Sequence, residues 1–368
     1  MVHAKALRCF QCGARYPVKQ TVFRCRCGGS LDVVYDYQSI REQLYEGVFL
    51  RTPISHWKYW PFYPITDLTR KISLGEGGTA LLKARTMPIM LKNETTNPTA
   101  SFKDRGTTVE ITKALEFGAK HLACASTGNM GASVAAYSAI AGIPATIFLP
   151  TKTAPSKVKQ IAAYGAQIVR VRGDYTEAMH AAEAAFRRQG FYLMGDYPYR
   201  VEGVKSVGYE IADQLNWQPP DWIFCPVGNG SLFYGIWKAF NDLKAVGFID
   251  RLPRMAAVQA AGCSPVVDAW AAKRKVIRPV KPRTICSAVA CGDPIDGLEA
   301  LYAIKQSGGM GVKCTDKEVL AAQKALATRE GIFAETSGAL SVAGYQKAAS
   351  EVDGTVVCLI TGHGLKEL

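Results

Sequence analysis

Asn97-Pro98-Thr99-Ala100-Ser101-Phe102-Lys103-Asp104-Arg105-Gly106 sets one lysine where a short polar turn gives way to a long amphipathic segment. Thr99 or Ser101 has the side-chain oxygen to cap a helix that opens there. The positive end of such a helix disfavours the ammonium form of Lys103. A neutral amine is what Schiff-base chemistry with a carbonyl compound needs. A solvated helix lysine is the plain alternative for this stretch alone. Two other turns collect glycine and small polar residues: Ser126-Thr127-Gly128-Asn129-Met130-Gly131 and Pro226-Val227-Gly228-Asn229-Gly230-Ser231. Each offers unhindered backbone N–H groups at a helix start, a geometry suited to carboxylate or phosphate. The second fits neither G-x-x-x-x-G-K-[ST] nor G-x-G-x-x-G. A third turn, Thr361-Gly362-His363-Gly364-Leu365-Lys366, ends an apolar strand at a hydroxyl.

Four cysteines have metal-ligand spacing. Cys9-x-x-Cys12 and Cys25-x-Cys27 are separated by twelve residues, with Gly13 and Gly28-Gly29 after the pairs. Four thiolates on two tight turns suit tetrahedral Zn2+, and the site would be structural because the protein fills every position. A ribbon that has lost its metal is the alternative. The other seven of the eleven cysteines are scattered, several in apolar runs, and read as small core hydrophobes of a reducing compartment.

Between these motifs the chain alternates. Helices are expected at 104–117, 131–141, 155–164, 175–188, 203–215, 231–243, 316–329 and 338–349. Strands are expected at 121–125, 145–149, 167–171, 191–194, 222–227, 254–259 and 355–360. Short apolar strands separated by helices mean βαβ units and parallel sheets, and ligands collect at the carboxyl ends of such strands. No apolar run reaches the length of a membrane span, and the N-terminus lacks a signal peptide's apolar core. These features predict a cytoplasmic protein. The net charge of +13 suits an anionic cofactor and substrate as well as it suits nucleic acid. The densest basic stretch, Lys273 to Arg283, lacks interleaved aromatic residues and reads as solvated surface. Lys157 and Lys159 read as surface charges.

The lysine stretch resembles that of the fold-type II pyridoxal phosphate (PLP) enzymes, the tryptophan synthase beta-like group. It is most similar to the threonine synthase family, whose usual form is NPTGSFKDRG. LGEGxT at Leu74–Thr79, STGN at Ser126–Asn129, PVGNG at Pro226–Gly230 and TGHGLK at Thr361–Lys366 follow in family order, and the resemblance spans residues 1 to 368. It implies an α/β protein with two open parallel-sheet domains and PLP between them. The expected parts are a zinc-ribbon-like segment at 1–36, a large domain from 37–82 and 197–368, and a small domain at 83–196.

The resemblance also implies roles. Lys103 carries PLP and acts as general base. Asn129 meets the cofactor ring oxygen, Gly228, Asn229, Gly230 and Ser231 seat its phosphate, and Thr361 faces the pyridine nitrogen. Ser126 and Thr127 hold the substrate carboxylate. Arg200, in a stretch similar to NPxRxEGxK, holds the phosphate of O-phosphohomoserine. His363 is a local structural residue, and Lys205 is either part of the site or a salt-bridged helix residue. The N-terminal ribbon, with Zn2+ on Cys9, Cys12, Cys25 and Cys27, also occurs in many similar proteins. The implied reaction gives L-threonine and phosphate, and the resemblance implies a homodimer with no nucleic-acid or membrane partner.

This sequence departs from the family on the substrate side. Gly195 and Tyr197 replace Ser and Asn, Asp293 replaces the asparagine of GNP, and Thr336-Ser337 replaces the Pro-Ala of EPAGA; in the C-terminal motif Glu367 replaces the aspartate of TGHGLKD. Other readings therefore stay open: another β-elimination or replacement, such as threonine/serine dehydration; a PLP-fold regulator without turnover; or a nucleic-acid-binding protein.

Overall fold

The computed structural model describes residues 3–44, 48–126 and 128–368. In chain order its strands are β1 (Ala4–Cys9), β2 (Arg15–Tyr16), β3 (Leu31–Tyr35), β4 (Leu81–Lys83), β5 (Met90–Asn93), β6 (Leu122–Ala125), β7 (Ala145–Pro150), β8 (Gln167–Val171), β9 (Tyr192–Met194), β10 (Trp222–Pro226), β11 (Arg254–Ala260), β12 (Met310–Cys314) and β13 (Val356–Ile360). The α-helices are α1 (Tyr37–Leu44), α2 (Val48–Arg51), α3 (Lys103–Glu116), α4 (Asn129–Ala141), α5 (Pro155–Ala163), α6 (Tyr175–Gln189), α7 (Pro198–Val204), α8 (Ser206–Gln214), α9 (Ser231–Ala245), α10 (Pro265–Ala271), α11 (Gly297–Gln306), α12 (Asp316–Ala325) and α13 (Thr336–Ala348).

The chain divides into two units, Met1–Gly77 with Lys103–Ser206, and Gly78–Phe102 with Val207–Leu368. The first holds an antiparallel sheet of order β2-β1-β3 and a parallel sheet of order β8-β7-β6-β9. Strands β6 and β7 are buried along their whole length, as parallel strands covered on both faces must be. Helix α6 opens on a capping box, Asp174 with Glu177, and stops at Gly190 in the left-handed conformation.

The second unit holds a six-stranded sheet of order β12-β11-β10-β13-β5-β4, parallel except for the β4–β5 hairpin. Its central strands β10 and β13 are apolar and buried throughout. All seven scattered cysteines are buried, as expected. No helix among the described residues is long and apolar enough to cross a membrane.

These boundaries differ from the expected ones. Residues 81–102 belong with the six-stranded sheet because β5 pairs with β13. Residues 37–77 belong with α3 because their polar groups end on it. Trp57 Nε1 donates to Thr108 Oγ1 at 3.1 Å, and the Ile72 N–H donates to Thr112 Oγ1 at 3.1 Å. The expected helix at 203–215 is two helices, α7 and α8, and the first begins five residues early. Pro198 occupies its first position, where the missing N–H costs nothing. Arg200 is therefore a helix residue.

Candidate active site

In the first unit Lys103 opens α3. Ser101 does not cap that helix: its hydroxyl is buried with no hydrogen-bond partner among the described residues. Asn129 opens α4. Ser126 Oγ accepts from the backbone N–H of Gly128 at 2.9 Å and of Gly131 at 2.8 Å. Those two bonds fill the hydroxyl's acceptor sites and leave its proton as a donor. Thr127 lies outside the described residues.

Lys157 was expected at the surface but is buried, and its stem lies against Gly128, where a Cβ would overlap it. It shares the inward face of α5 with Ile161, and a lysine stem packs there as a hydrocarbon. Lys159 is exposed.

Arg200 is held inside the first unit. Its side chain is 1% exposed. Nε donates to Gly195 O at 3.1 Å, one Nη1 N–H to Lys103 O at 3.2 Å and Nη2 to Thr107 Oγ1 at 3.0 Å. Nη2 also pairs with Glu110 Oε2 at 2.7 Å. Three of the five N–H donors of a guanidinium thus make hydrogen bonds inside this unit, beside the ion pair with Glu110. Burial pushes the Glu110 carboxyl up to about 7, against the pull of Arg200 and the Gly195 N–H. Glu110 was missed in the sequence, although it shares a helix face with Lys103 and Thr107 at i, i+4 and i+7.

Lys205 is the salt-bridged alternative: Nζ lies 2.5 Å from Glu202 Oε2 and donates to Phe62 O at 2.9 Å. Glu76 of the LGEG turn accepts from Trp57 Nε1 at 3.1 Å, Ser73 Oγ at 3.0 Å, the Leu74 N–H at 2.9 Å and Tyr137 Oη at 2.6 Å. Burial works against its charge, yet His56 and these donors keep its carboxyl below the usual range. It fastens the turn to α4.

In the second unit the loop from Val227 to Gly230 runs into α9. Gly230 has φ +103, and a Cβ there would overlap the carbonyl oxygen of Asp296. The loop is clamped by Asn229, whose Oδ1 accepts from Cys291 Sγ at 2.7 Å and whose backbone oxygen accepts from the Asp296 N–H at 2.8 Å. The asparagine therefore shapes the turn with its own side chain. The backbone N–H groups of this turn and Ser231 stand at the start of a 15-residue helix, the geometry expected of an anion cradle.

Thr361 is buried at the end of β13. Beside it the stretch leading to Lys103 is held in place: Phe102 N–H donates to Thr361 O at 3.0 Å, and His363 N–H donates to Ala100 O at 3.0 Å. The His363 ring accepts from the Leu365 N–H at 3.1 Å, the local structural role expected of it. Glu367 accepts from the Thr336 N–H at 2.8 Å and from Thr336 Oγ1 at 2.9 Å, which holds the start of α13.

Ala100 has φ +63. It ends the turn closed by its N–H on Asn97 O at 2.7 Å, a position that favours glycine. A left-handed alanine costs roughly 1–2 kcal/mol, partly offset by glycine's greater freedom when unfolded. Ala100→Gly should raise stability by roughly 0.5–1 kcal/mol. Denaturant unfolding checks this, and a lowered midpoint would contradict the strain.

The cysteine cluster is also assembled. The four sulfur atoms lie within 4.8 Å of one another. Cys9–Cys27 is 3.6 Å, and Cys12 is 3.5 Å from both Cys25 and Cys27. A tetrahedron of sulfurs around zinc has edges of about 3.8 Å.

The pieces fit PLP: a lysine at a helix start, a glycine-lined phosphate cradle and a buried hydroxyl at a strand end. Residues 72–362 match the pyridoxal-phosphate dependent enzyme family. The threonine synthase of Methanocaldococcus jannaschii is 41% identical over 98% of this chain and 92% of its own. That of Methanosarcina acetivorans is 42% identical over the same shares, 98% and 92%. Maize serine racemase shares the fold, with a TM-score of 0.68 at 20% identity over 89% of this chain and 93% of its own. The chain belongs to the pyridoxal-phosphate dependent enzymes, within the threonine synthase family.

Proposed function

We propose that this protein is a PLP-dependent lyase that converts O-phospho-L-homoserine and water to L-threonine and phosphate. The observation that carries this reading is identity above 40% to threonine synthases over nearly the full length of both chains. PLP, when bound, supplies the electron sink that makes Cα and Cβ protons of an amino acid removable. Lys103 holds the cofactor and moves protons at the substrate carbons through Nζ. Gly228 to Ser231 take the cofactor phosphate, Asn129 its ring oxygen and Thr361 its pyridine nitrogen. Ser126 donates its remaining proton to the substrate carboxylate, with Thr127 beside it in the sequence. Arg200, matched to the NPxR arginine, would take the substrate phosphate.

The competing reading is threonine or serine dehydration. It is tested by supplying each amino acid in turn. Turnover confined to O-phosphohomoserine supports the proposal, whereas rapid formation of a 2-oxo acid from L-threonine or L-serine would move the protein to the dehydratases. The family likeness adds a cytoplasmic homodimer that binds no nucleic acid; light scattering tests the dimer.

We further propose one structural Zn2+ on Cys9, Cys12, Cys25 and Cys27. Protein from zinc-replete culture should hold one zinc per chain. Cys12→Ser should lose it, and the thermal midpoint should fall by roughly 5 °C or more. Full stability in the absence of zinc would contradict this.

A further inference from the structure

We propose that the N-terminal sheet of β1, β2 and β3 positions Arg200 for the substrate phosphate, with Phe23 and Tyr35 as the positioning residues. The inference rests on Arg200 taking that phosphate. Helix α7, which carries Arg200, has only seven residues, well below the length at which a helix holds itself together in water. Where its arginine stands is therefore decided by what the helix packs against.

The N-terminal segment grips α7 at both ends. At the start, Tyr199 Oη donates to Val18 O at 3.0 Å. The ring of Tyr197, just before the helix, meets Phe23 edge-on with centroids 5.2 Å apart, a favoured aromatic geometry. Arg24 stands over the same Tyr197 ring, 5.8 Å from its centroid, and pairs with Glu183 of α6 at 3.8 Å. At the far end, Tyr35 of β3 donates through Oη to Glu202 Oε2 at 2.6 Å. Lys205 pairs with that same oxygen at 2.5 Å and lies over the Tyr35 ring, 4.3 Å from its centroid. Arg200 sits between the two grips. Its own N–H donates to Tyr197 O at 3.1 Å, so a shift of Tyr197 reaches the arginine through the backbone.

Phe23 anchors the arrangement. It is buried in the hydrophobic core around β6 and β7, far along the chain from its own strands. Its ring also meets Tyr192 of β9 at 5.1 Å and Phe186 of α6 at 5.2 Å. The departure at Tyr197 gains a physical reading from this. An asparagine there would offer a short polar group, whereas the tyrosine offers a ring long enough to reach Phe23. The exchange gives up a polar group beside the substrate arginine and ties that arginine's helix to the N-terminal sheet.

The test uses PLP-loaded protein and two variants. Phe23→Ala removes the anchoring ring, and Tyr35→Phe removes one hydrogen bond while keeping the ring beneath Lys205. Spectral titration measures binding of two ligands: the analogue of O-phosphohomoserine with a methylene in place of the bridging oxygen, and L-norvaline, the same carbon skeleton without the phosphonate. Positioning of Arg200 predicts that the phosphonate binds roughly tenfold more weakly to Phe23→Ala and about threefold more weakly to Tyr35→Phe, with L-norvaline within about twofold of wild type. In turnover the same change appears as a raised KM for O-phosphohomoserine at nearly unchanged kcat. Equal weakening of both ligands would make the contacts merely structural and overturn the proposal, as would wild-type affinities in both variants. Should Phe23→Ala not fold, Tyr35→Phe decides by the same criteria. A wild-type protein that binds the phosphonate no better than L-norvaline would instead count against the phosphate role of Arg200. Hydrogen exchange across residues 197–205, which needs no ligand, then decides whether the N-terminal sheet holds α7. Faster exchange there in the variants supports that hold, and unchanged exchange would overturn it.

Discussion

Lys103→Ala should yield a folded protein with no covalently held PLP and with turnover reduced by at least about a thousandfold, since the variant loses both an anchoring amine and a general base. The contacts that fix this position run through the Lys103 carbonyl, which Arg200 and Thr107 hold. An alanine keeps that carbonyl, so the helix start survives and the loss is chemical. The check is the visible band of the PLP-loaded protein together with borohydride reduction and peptide mapping. A borohydride-trapped label on another residue, or wild-type turnover in the variant, would move the chemistry away from Lys103.

Gly230→Ala should weaken PLP binding by roughly 100-fold, about 2.7 kcal/mol. A non-glycine residue at a disfavoured positive φ costs on the order of 1–3 kcal/mol, and the added methyl also meets the Asp296 carbonyl. That carbonyl has little room to withdraw, because the Asp296 N–H is bonded to Asn229 O at 2.8 Å. The loop must yield, and its backbone N–H groups leave the positions suited to a phosphate. Titration of the apoprotein with PLP measures the effect. An affinity within about threefold of wild type would mean that the cradle lies elsewhere.

The parts of the fold that could be read in the sequence are those whose signals are local. Strands β10 and β13 are unbroken apolar runs between turn residues, and α6 has a capping box and a glycine stop. Strand β12 went unread because Met310-Gly311-Val312-Lys313-Cys314 is a half-exposed edge strand with a glycine inside it. The hairpin of β4 and β5 carries no comparable local signal. Its strands are three and four residues long, and their place in the large sheet depends on β13, which lies far along the chain. Buried charge was harder still. Lys92 pairs with Glu210 at 2.8 Å in the core of the second unit, and Arg200 pairs with Glu110 across the α3–α7 crossing. Spacing along the chain gives no hint of such partners. The pairing of Arg200 with Glu110 therefore has no signal in the sequence. Lys157 looked exposed for the same reason.

The most direct measurement is to supply the purified, PLP-loaded protein with O-phospho-L-homoserine and follow phosphate and threonine in the same tube. The account predicts that the two appear in equal amounts. Phosphate without threonine, or no turnover by a protein that holds PLP on Lys103, would contradict it.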